Sequence, residues 1–166
     1  MLSSPTSYVA YYHSPVGILR LGGTDHYINE ISFLDAMPAG AQTHLNPLLQ
    51  QCQEQLMEYF QGLRRAFDLP VHQEGSEFQQ KVWGELMGIP YGRTISYMDL
   101  AKRVGDPKSV RAVGTTNGKN RIAIVLPCHR VIGSRNDLVG YGGGLWRKRW
   151  LLEHENKIAH GVQTLF

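Results

Sequence analysis

In the stretch Val125 to Val131, VLPCHRV, a cysteine stands between a proline and a histidine, directly after an apolar run. Only the thiolate form of a cysteine is a nucleophile, and an ordinary thiol with a pKa near ~8.5 is a few per cent thiolate at neutral pH. His129 can take the proton of Cys128 directly or through a water. Glu153 and Glu155 lie in the last helical segment, and either could hold the imidazole. By residue type this is a Cys–His–acid relay. In a straight strand neighbouring side chains point to opposite faces. The pair therefore needs a bend, and Pro127 favours one.

Other chemistries find less support. The run GYGGG, residues 140–144, lacks the Gly-x-Gly-x-x-Gly spacing of a dinucleotide loop, and no Walker motif is present. The seven histidines are scattered without metal-ligand spacing, so neither a metal nor a cofactor is expected. GYGGG reads better as a loop whose backbone approaches a flat ligand, with Tyr141 as a wall. Cys52 falls on the apolar face of a helix and reads as a packed, inert thiol.

The elements that must position these groups follow from pattern. SYVAYY, VGILRLGG and YINEISF are short strand-like runs, and a helix follows from about Asn46 to Gln61. Residues 64–75 form a connection, and the boundary between two domains, 1–75 and 76–166, is placed there. Ser76 and Gln79 fit a capping box that opens a helix with Phe78, Val82, Trp83 and Leu86 as its stripe. SYMDLAKRVG, with Ser96 and Asp99 at its start, and KSVRAVGTTNG form two helices around Gly105-Asp106-Pro107, the outline of a helix-turn-helix. Around Arg111 the second of these carries Ala112, Gly114, Thr115 and Thr116, all small, a face suited to lying flush in a DNA groove. Ile122–Leu126 reads as a short strand leading to Cys128. The last helix is LWRKRWLLEHE, with Leu145, Arg149, Leu152 and Glu153 at helical intervals and a loosely packed tail over 156–166. The expected fold class is α/β of the α+β kind. A small β-sheet and helix form the first domain, and a mostly helical domain with the helix-turn-helix and the short strand forms the second.

Composition bounds the rest. Hydrophobic residues at 42 % and charged residues at 19 % indicate a folded globular chain, and no apolar run is long enough to span a membrane. No secretory signal is read at the N-terminus, so both thiols are expected to be free. The formal charge of +3 conceals an asymmetry: residues 1–74 carry a net −4 and residues 75–166 a net +7. The second half is the part suited to a polyanion.

IVLPCHRVIG resembles the active-site signature of the O6-alkylguanine-DNA alkyltransferases, also called methylated-DNA–protein-cysteine methyltransferases. ISYMDLA, RAVGTTNGKN, GYGGG and RKRWLLEHE resemble further blocks of that family in the same order. The resemblance is specific over residues 76–155. Over 1–75 only SPVGILRL and the β-then-helix plan agree. It implies single-turnover DNA repair, in which an alkylated guanine is flipped from the duplex and its O6-alkyl group moves to Cys128. Whether O4-alkylthymine is also accepted stays open.

Carried over by position, His129 is the base acting through water and Glu155 the acid that orients it. Asn120 braces the active-site turn, and Tyr97 donates a hydrogen bond to the leaving guanine. Arg111 is the arginine inserted into the duplex, and Thr115 shares its DNA-facing helix. Val131 meets the guanine through its backbone, Tyr141, Gly142 and Gly143 wall the pocket, and Ser134 contacts the DNA backbone. Some relatives carry Gly or Ala at Thr115 and Thr116, and some a serine at Gly142. Some members hold zinc in the first domain, but residues 1–75 here contain one cysteine. The implied partner is double-stranded DNA, met through the minor groove by a monomer. The implied location is the cytoplasm, or the nucleus in a eukaryote.

Overall fold

The structure, a computed structural model, describes residues 7–161. The chain divides into two compact units, Met1–Gln73 and Glu74–Phe166. The division falls two residues ahead of the position read from composition. Glu74 and Gly75 belong with the second unit because the carbonyl of Glu74 accepts from Arg121 Nη2 at 2.6 Å, and Gly75 lies against the Trp83 ring. A Cβ at Gly75 would come within 2.6 Å of that ring, so only glycine fits.

In the first unit β1 (Tyr8–Ser14), β2 (Gly17–Gly23) and β3 (Ile28–Leu34) form an antiparallel meander in that order. Alternation decides which side is buried: Ala10, Leu21 and Ile31 are direct neighbours across the three strands, and all are buried. Helix α1 (Pro47–Phe60) covers that side with Leu49, Cys52, Leu56 and Tyr59. Its N-cap Asn46 accepts from the Leu49 amide at 2.8 Å while its Nδ2 donates to the Thr24 carbonyl at 3.1 Å, which ties the helix start to the β2–β3 turn. Burial pushes the Cys52 thiol up to about 12, so it is inert at neutral pH.

The second unit is mostly helical: α2 (Glu77–Leu86), α3 (Tyr97–Arg103), α4 (Val110–Gly118) and α5 (Leu145–His160). Two-residue strands β4 (Ile95–Ser96) and β5 (Val131–Ile132) pair in parallel. Both expected capping boxes are formed, Ser76 with Gln79 and Ser96 with Asp99. Trp83 donates its indole N–H to the Thr116 carbonyl at 3.0 Å, which fixes α2 to the end of α4. Phe78 does not join the α2 core and is 36 % exposed, because it stands at the edge of the arc set by Val82, Trp83 and Leu86.

Two further expectations are corrected. Ile122–Leu126 is not a strand. The Val125 amide bonds the Ala123 carbonyl at 2.7 Å around Ile124, whose φ is +71°, and the Cys128 amide bonds the Leu126 carbonyl at 2.8 Å. These are two successive γ-turns, the first in the rare positive-φ form. The apolar run reflects burial on all sides, not a ladder. Helix α5 continues to His160, past the expected fraying point, and it buries Arg147, Lys148, Leu151, Leu152, Glu155 and Asn156, while Leu145 and Arg149 are exposed. The expected tail beyond Gly161 lies outside the described residues. No helix among the described residues is long and apolar enough to cross a membrane.

Replacing Ser76 with alanine removes a reciprocal cap and is expected to cost about 1 kcal/mol, measured as a lowered Tm with an unchanged circular dichroism spectrum. Cys52 is expected to react with iodoacetamide only after denaturation, as peptide mapping of labelled folded and unfolded protein would show.

Candidate active site

Cys128 opens a 3-10 turn, Cys128–Arg130, directly after the γ-turns. The turn supplies the bend that the adjacent Cys–His pair needs. Asn120 holds it from outside. Its Nδ2 donates to the carbonyls of Ile122 at 3.3 Å and Leu126 at 2.9 Å, and its Oδ1 accepts from the Ile122 amide at 3.1 Å. One side-chain amide thus satisfies backbone groups that a neighbouring strand would otherwise satisfy. It also hydrogen-bonds the Cys128 sulfur.

His129 and Glu155 are both fully buried, and Nε2 lies 2.6 Å from Glu155 Oε2. Glu153, two residues earlier on α5, is turned to another side of the helix and is half-buried. Glu155 also accepts from Arg130 Nε at 2.8 Å, Arg130 Nη2 at 3.1 Å and the Gly92 amide at 3.3 Å. Arg130 is braced in turn, with Nη1 on the Ile89 carbonyl at 2.8 Å and its guanidinium over the Tyr91 ring. Gly92, at φ +75°, has room for no Cβ: one would stand 2.7 Å from that of Ala159.

The protonation states follow. Burial alone would raise the Glu155 carboxyl, but the facing imidazole and the Arg130 guanidinium overcome it and hold it well below the usual range. Burial pushes the His129 imidazolium down, against the pull of Glu155, so the ring is neutral at rest. A neutral imidazole facing a carboxylate through Nε2 must carry its proton there. Nδ1 is then the basic atom. It is buried and has no hydrogen-bond partner among the described residues.

Burial also raises the Cys128 thiol, opposed by Asn120, the charge of Lys148 and the hydroxyl of Tyr141. The resting sulfur is a thiol with stabilising groups already around it. Lys148 has no exposed surface and burial lowers it to about 8, so its ammonium is charged at neutral pH. It donates to the carbonyls of Val139 at 3.1 Å and Gly140 at 3.3 Å, beneath the Tyr97 ring. The Tyr97 hydroxyl donates to the same Val139 carbonyl at 2.9 Å. Tyr141 is raised well above its ordinary value, by burial and by the sulfur beside it.

The expected residues therefore separate. Asn120, Tyr97 and Tyr141 act on the Cys128 sulfur, His129 meets Glu155 one residue along the same turn, and Val131 is buried on β5 beside it. Gly142 and Gly143 follow Tyr141 in the loop, and the Gly143 carbonyl accepts from Arg147 Nη1 at 2.8 Å. Arg111, Thr115 and Ser134 stand exposed on the surface. Thr116 is buried and does not belong to the exposed face of α4. Sequence reasoning missed Arg130, Lys148, Asn117 and Gly92. Arg130 had a signal in its place beside His129, and Lys148 only in lying within α5. No cluster of His, Cys, Asp and Glu able to hold a metal ion occurs among the described residues.

Residues 77–157 match the family described as the 6-O-methylguanine DNA methyltransferase DNA-binding domain, and residues 7–73 its ribonuclease-like domain. The chain is 44% identical over 156 residues to the methylated-DNA–protein-cysteine methyltransferase of Mycobacterium tuberculosis, covering 92% of this chain and 94% of that one. It is 54% identical over 114 residues to the constitutive methylated-DNA–protein-cysteine methyltransferase of Bacillus subtilis, 69% of each chain. The crystal structure of Mycobacterium tuberculosis OGT in complex with DNA is similar at a TM-score of 0.82 and 42% identity, covering 89% of this chain and 92% of that one.

Because Glu155 is held below its ordinary value of 4.5, the stability it confers is complete above that pH and is lost as pH falls toward the folded value. Replacing Arg130 with methionine leaves this carboxylate under-compensated. The expected loss is about 3–5 kcal/mol at neutral pH, measured by urea unfolding, and smaller in acid where the carboxyl is protonated.

Proposed function

The chain belongs to the 6-O-methylguanine DNA methyltransferase family, and we propose that it flips O6-alkylguanine out of duplex DNA and moves the alkyl group irreversibly to Cys128, once per molecule. The observation that carries this reading is the buried Glu155–His129 couple. It leaves a neutral imidazole with Nδ1 as its basic atom, one residue from a thiol set among stabilising groups.

In this mechanism the thiol proton passes to His129 Nδ1, directly or through a water, and Glu155 stabilises the imidazolium that forms. The thiolate attacks the alkyl carbon. A C–S bond forms, the C–O6 bond breaks, and its electron pair returns to the guanine ring. Tyr97 supplies a hydrogen bond to the leaving base once it releases the Val139 carbonyl. The product is a thioether, which has no leaving group comparable to a guanine, so the chain does not turn over. Chemistry at O6 inside a duplex requires the base to be extruded. The exposed face of α4, with Arg111 as a long side chain among Ala112, Thr115 and Gly118, supports a minor-groove approach with Arg111 in the vacated place. Val131, Tyr141, Gly142 and Gly143 wall the pocket, and Ser134 meets the DNA backbone. The protein acts as a monomer, wherever the cell keeps its DNA.

Intact mass and peptide mapping after mixing with O6-methylguanine DNA should show one methyl group per chain, on Cys128. Repaired DNA in molar excess over an unmodified thiol would overturn the reading and favour a hydrolase. Arg111→Ala should slow transfer from duplex DNA by about tenfold or more while sparing reaction with the free base. Equal losses on both would remove its flipping role.

Because burial lowers His129, the rate of transfer should stay flat from below the ordinary imidazole value of 6.5 up to about 8. Below that window His129 gains a proton and ceases to be a base. Above it Lys148 loses the charge that favours the thiolate. Single-turnover kinetics across pH checks both limbs, and Lys148→Met should remove the alkaline one.

A further inference from the structure

The chain holds three tryptophans, and two of them are engaged within it. Trp83 is buried and donates to the Thr116 carbonyl, and Trp150 is half-buried and stacks on His154 with 4.9 Å between ring centroids. Trp146, in the first turn of α5, is 53 % exposed. It is held all the same. The Arg147 guanidinium lies over its ring, 4.6 Å from the centroid, and Arg147 Nη1 is tied to the Gly143 carbonyl. The ring also lies close to Gly144, where a Cβ would stand 3.4 Å from its Cδ1. A guanidinium on one face leaves the other as an aromatic platform, oriented before any ligand arrives.

The platform adjoins the proposed pocket, and the inference rests on that reading. Gly143 and Gly144 belong to the loop that follows Tyr141 and leads into α5. Between residues 133 and 153 the chain carries four basic and two acidic side chains, and the first turn of α5 holds no acidic residue. Arg135 and Arg149 stand exposed in that stretch, and Val139 and Leu145 add exposed apolar surface. An open indole among exposed cations suits a single nucleic-acid strand, which offers a stacking face on each base and a phosphate beside it. In a duplex the neighbours of the flipped guanine stay paired, and in the proposed reaction Arg111 fills the gap. In a single strand no partner holds the neighbouring base, and Arg111 has no gap to fill. We propose that Trp146 is a positioning residue that stacks on the nucleotide next to the alkylated guanine when the damaged DNA is single-stranded. The exposed face of α4 then grips duplex DNA, and the start of α5 grips the single strand.

The test follows single-turnover methylation of Cys128 from three probes: O6-methylguanine as the free base, in a single-stranded oligonucleotide, and in the same oligonucleotide as a duplex. Trp146→Ala should slow transfer from the single strand by about tenfold, as loss of one base–aromatic stack does, and should spare the other two probes. Trp146→Phe should restore most of the single-strand rate. Abasic sites on both sides of the alkylated guanine should slow the unaltered protein on the single strand by a similar factor and slow Trp146→Ala no further. A residue that only shapes the loop would not show that coupling. Equal losses on all three probes would overturn the proposal, and so would an abasic effect that persists in full in Trp146→Ala. An unchanged single-strand rate in Trp146→Ala would overturn it too, and is the result expected of a face that meets another protein. Failure of the unaltered protein to methylate Cys128 from O6-methylguanine in duplex DNA would instead sink the alkyl-transfer reading itself, so the two failures are told apart.

Discussion

A carboxylate taken almost wholly out of water survives as an anion only if donors meet it on every side, and Glu155 is met by four. The His129 imidazole, two nitrogens of Arg130 and the Gly92 amide surround it. They come from two stretches of chain distant in sequence from α5: the 3-10 turn and the loop after α2. The positive φ of Gly92 and the seat of Arg130 on the Ile89 carbonyl are consequences of that requirement. So is the tautomer of His129, because the carboxylate claims the proton on Nε2 and leaves Nδ1 basic. Stability and chemistry share one buried charge.

The sulfur is served by a second constraint, on the backbone. Between Asn120 and Cys128 the chain folds back through two γ-turns instead of running straight, and Ile124, a β-branched residue, takes a φ that such residues avoid. Strain of this kind costs about 1–3 kcal/mol and persists only where surroundings over-determine it. Here the surroundings are the Asn120 amide, which bonds three backbone groups of the segment, and the burial of every side chain from Ile122 to Leu126. The return is a cysteine delivered at the start of a turn, with its neighbour free to face another way.

Around this core the polar groups of the pocket are engaged with the chain itself. The Tyr97 hydroxyl and the Lys148 ammonium both hold the Val139 carbonyl, and Lys148 also holds that of Gly140. Tyr97, the hydrogen-bond donor to the leaving base in the proposed reaction, is thus already in a donating geometry. Its partner is the 139–140 segment of the loop. In the proposed reaction the substrate exchanges one acceptor for another, which costs less than ordering a free hydroxyl.

Much of this was legible in the residues alone. Caps, turns and the apolar stripes of α1 and α2 depend on neighbours within a few positions, and local chemistry determined them: Ser76 with Gln79, Ser96 with Asp99, Cys52 among Leu49 and Leu56. The Cys–His pair and the small face around Arg111 were legible for the same reason. The strand expected at Ile122–Leu126 was not, because an apolar β-branched run looks alike whether a ladder or a buried double turn contains it. Nor was the buried face of α5, since periodicity counts apolar residues and this face holds Arg147, Lys148, Glu155 and Asn156. Sequence by itself determined which local units form and which atom can be the nucleophile. Only tertiary structure decided that Glu155 and not Glu153 meets His129, and that Arg130, Lys148 and Asn117 complete the site. Those choices rest on buried charge and hydrogen-bond balance between segments far apart in the chain, which no spacing within one segment encodes.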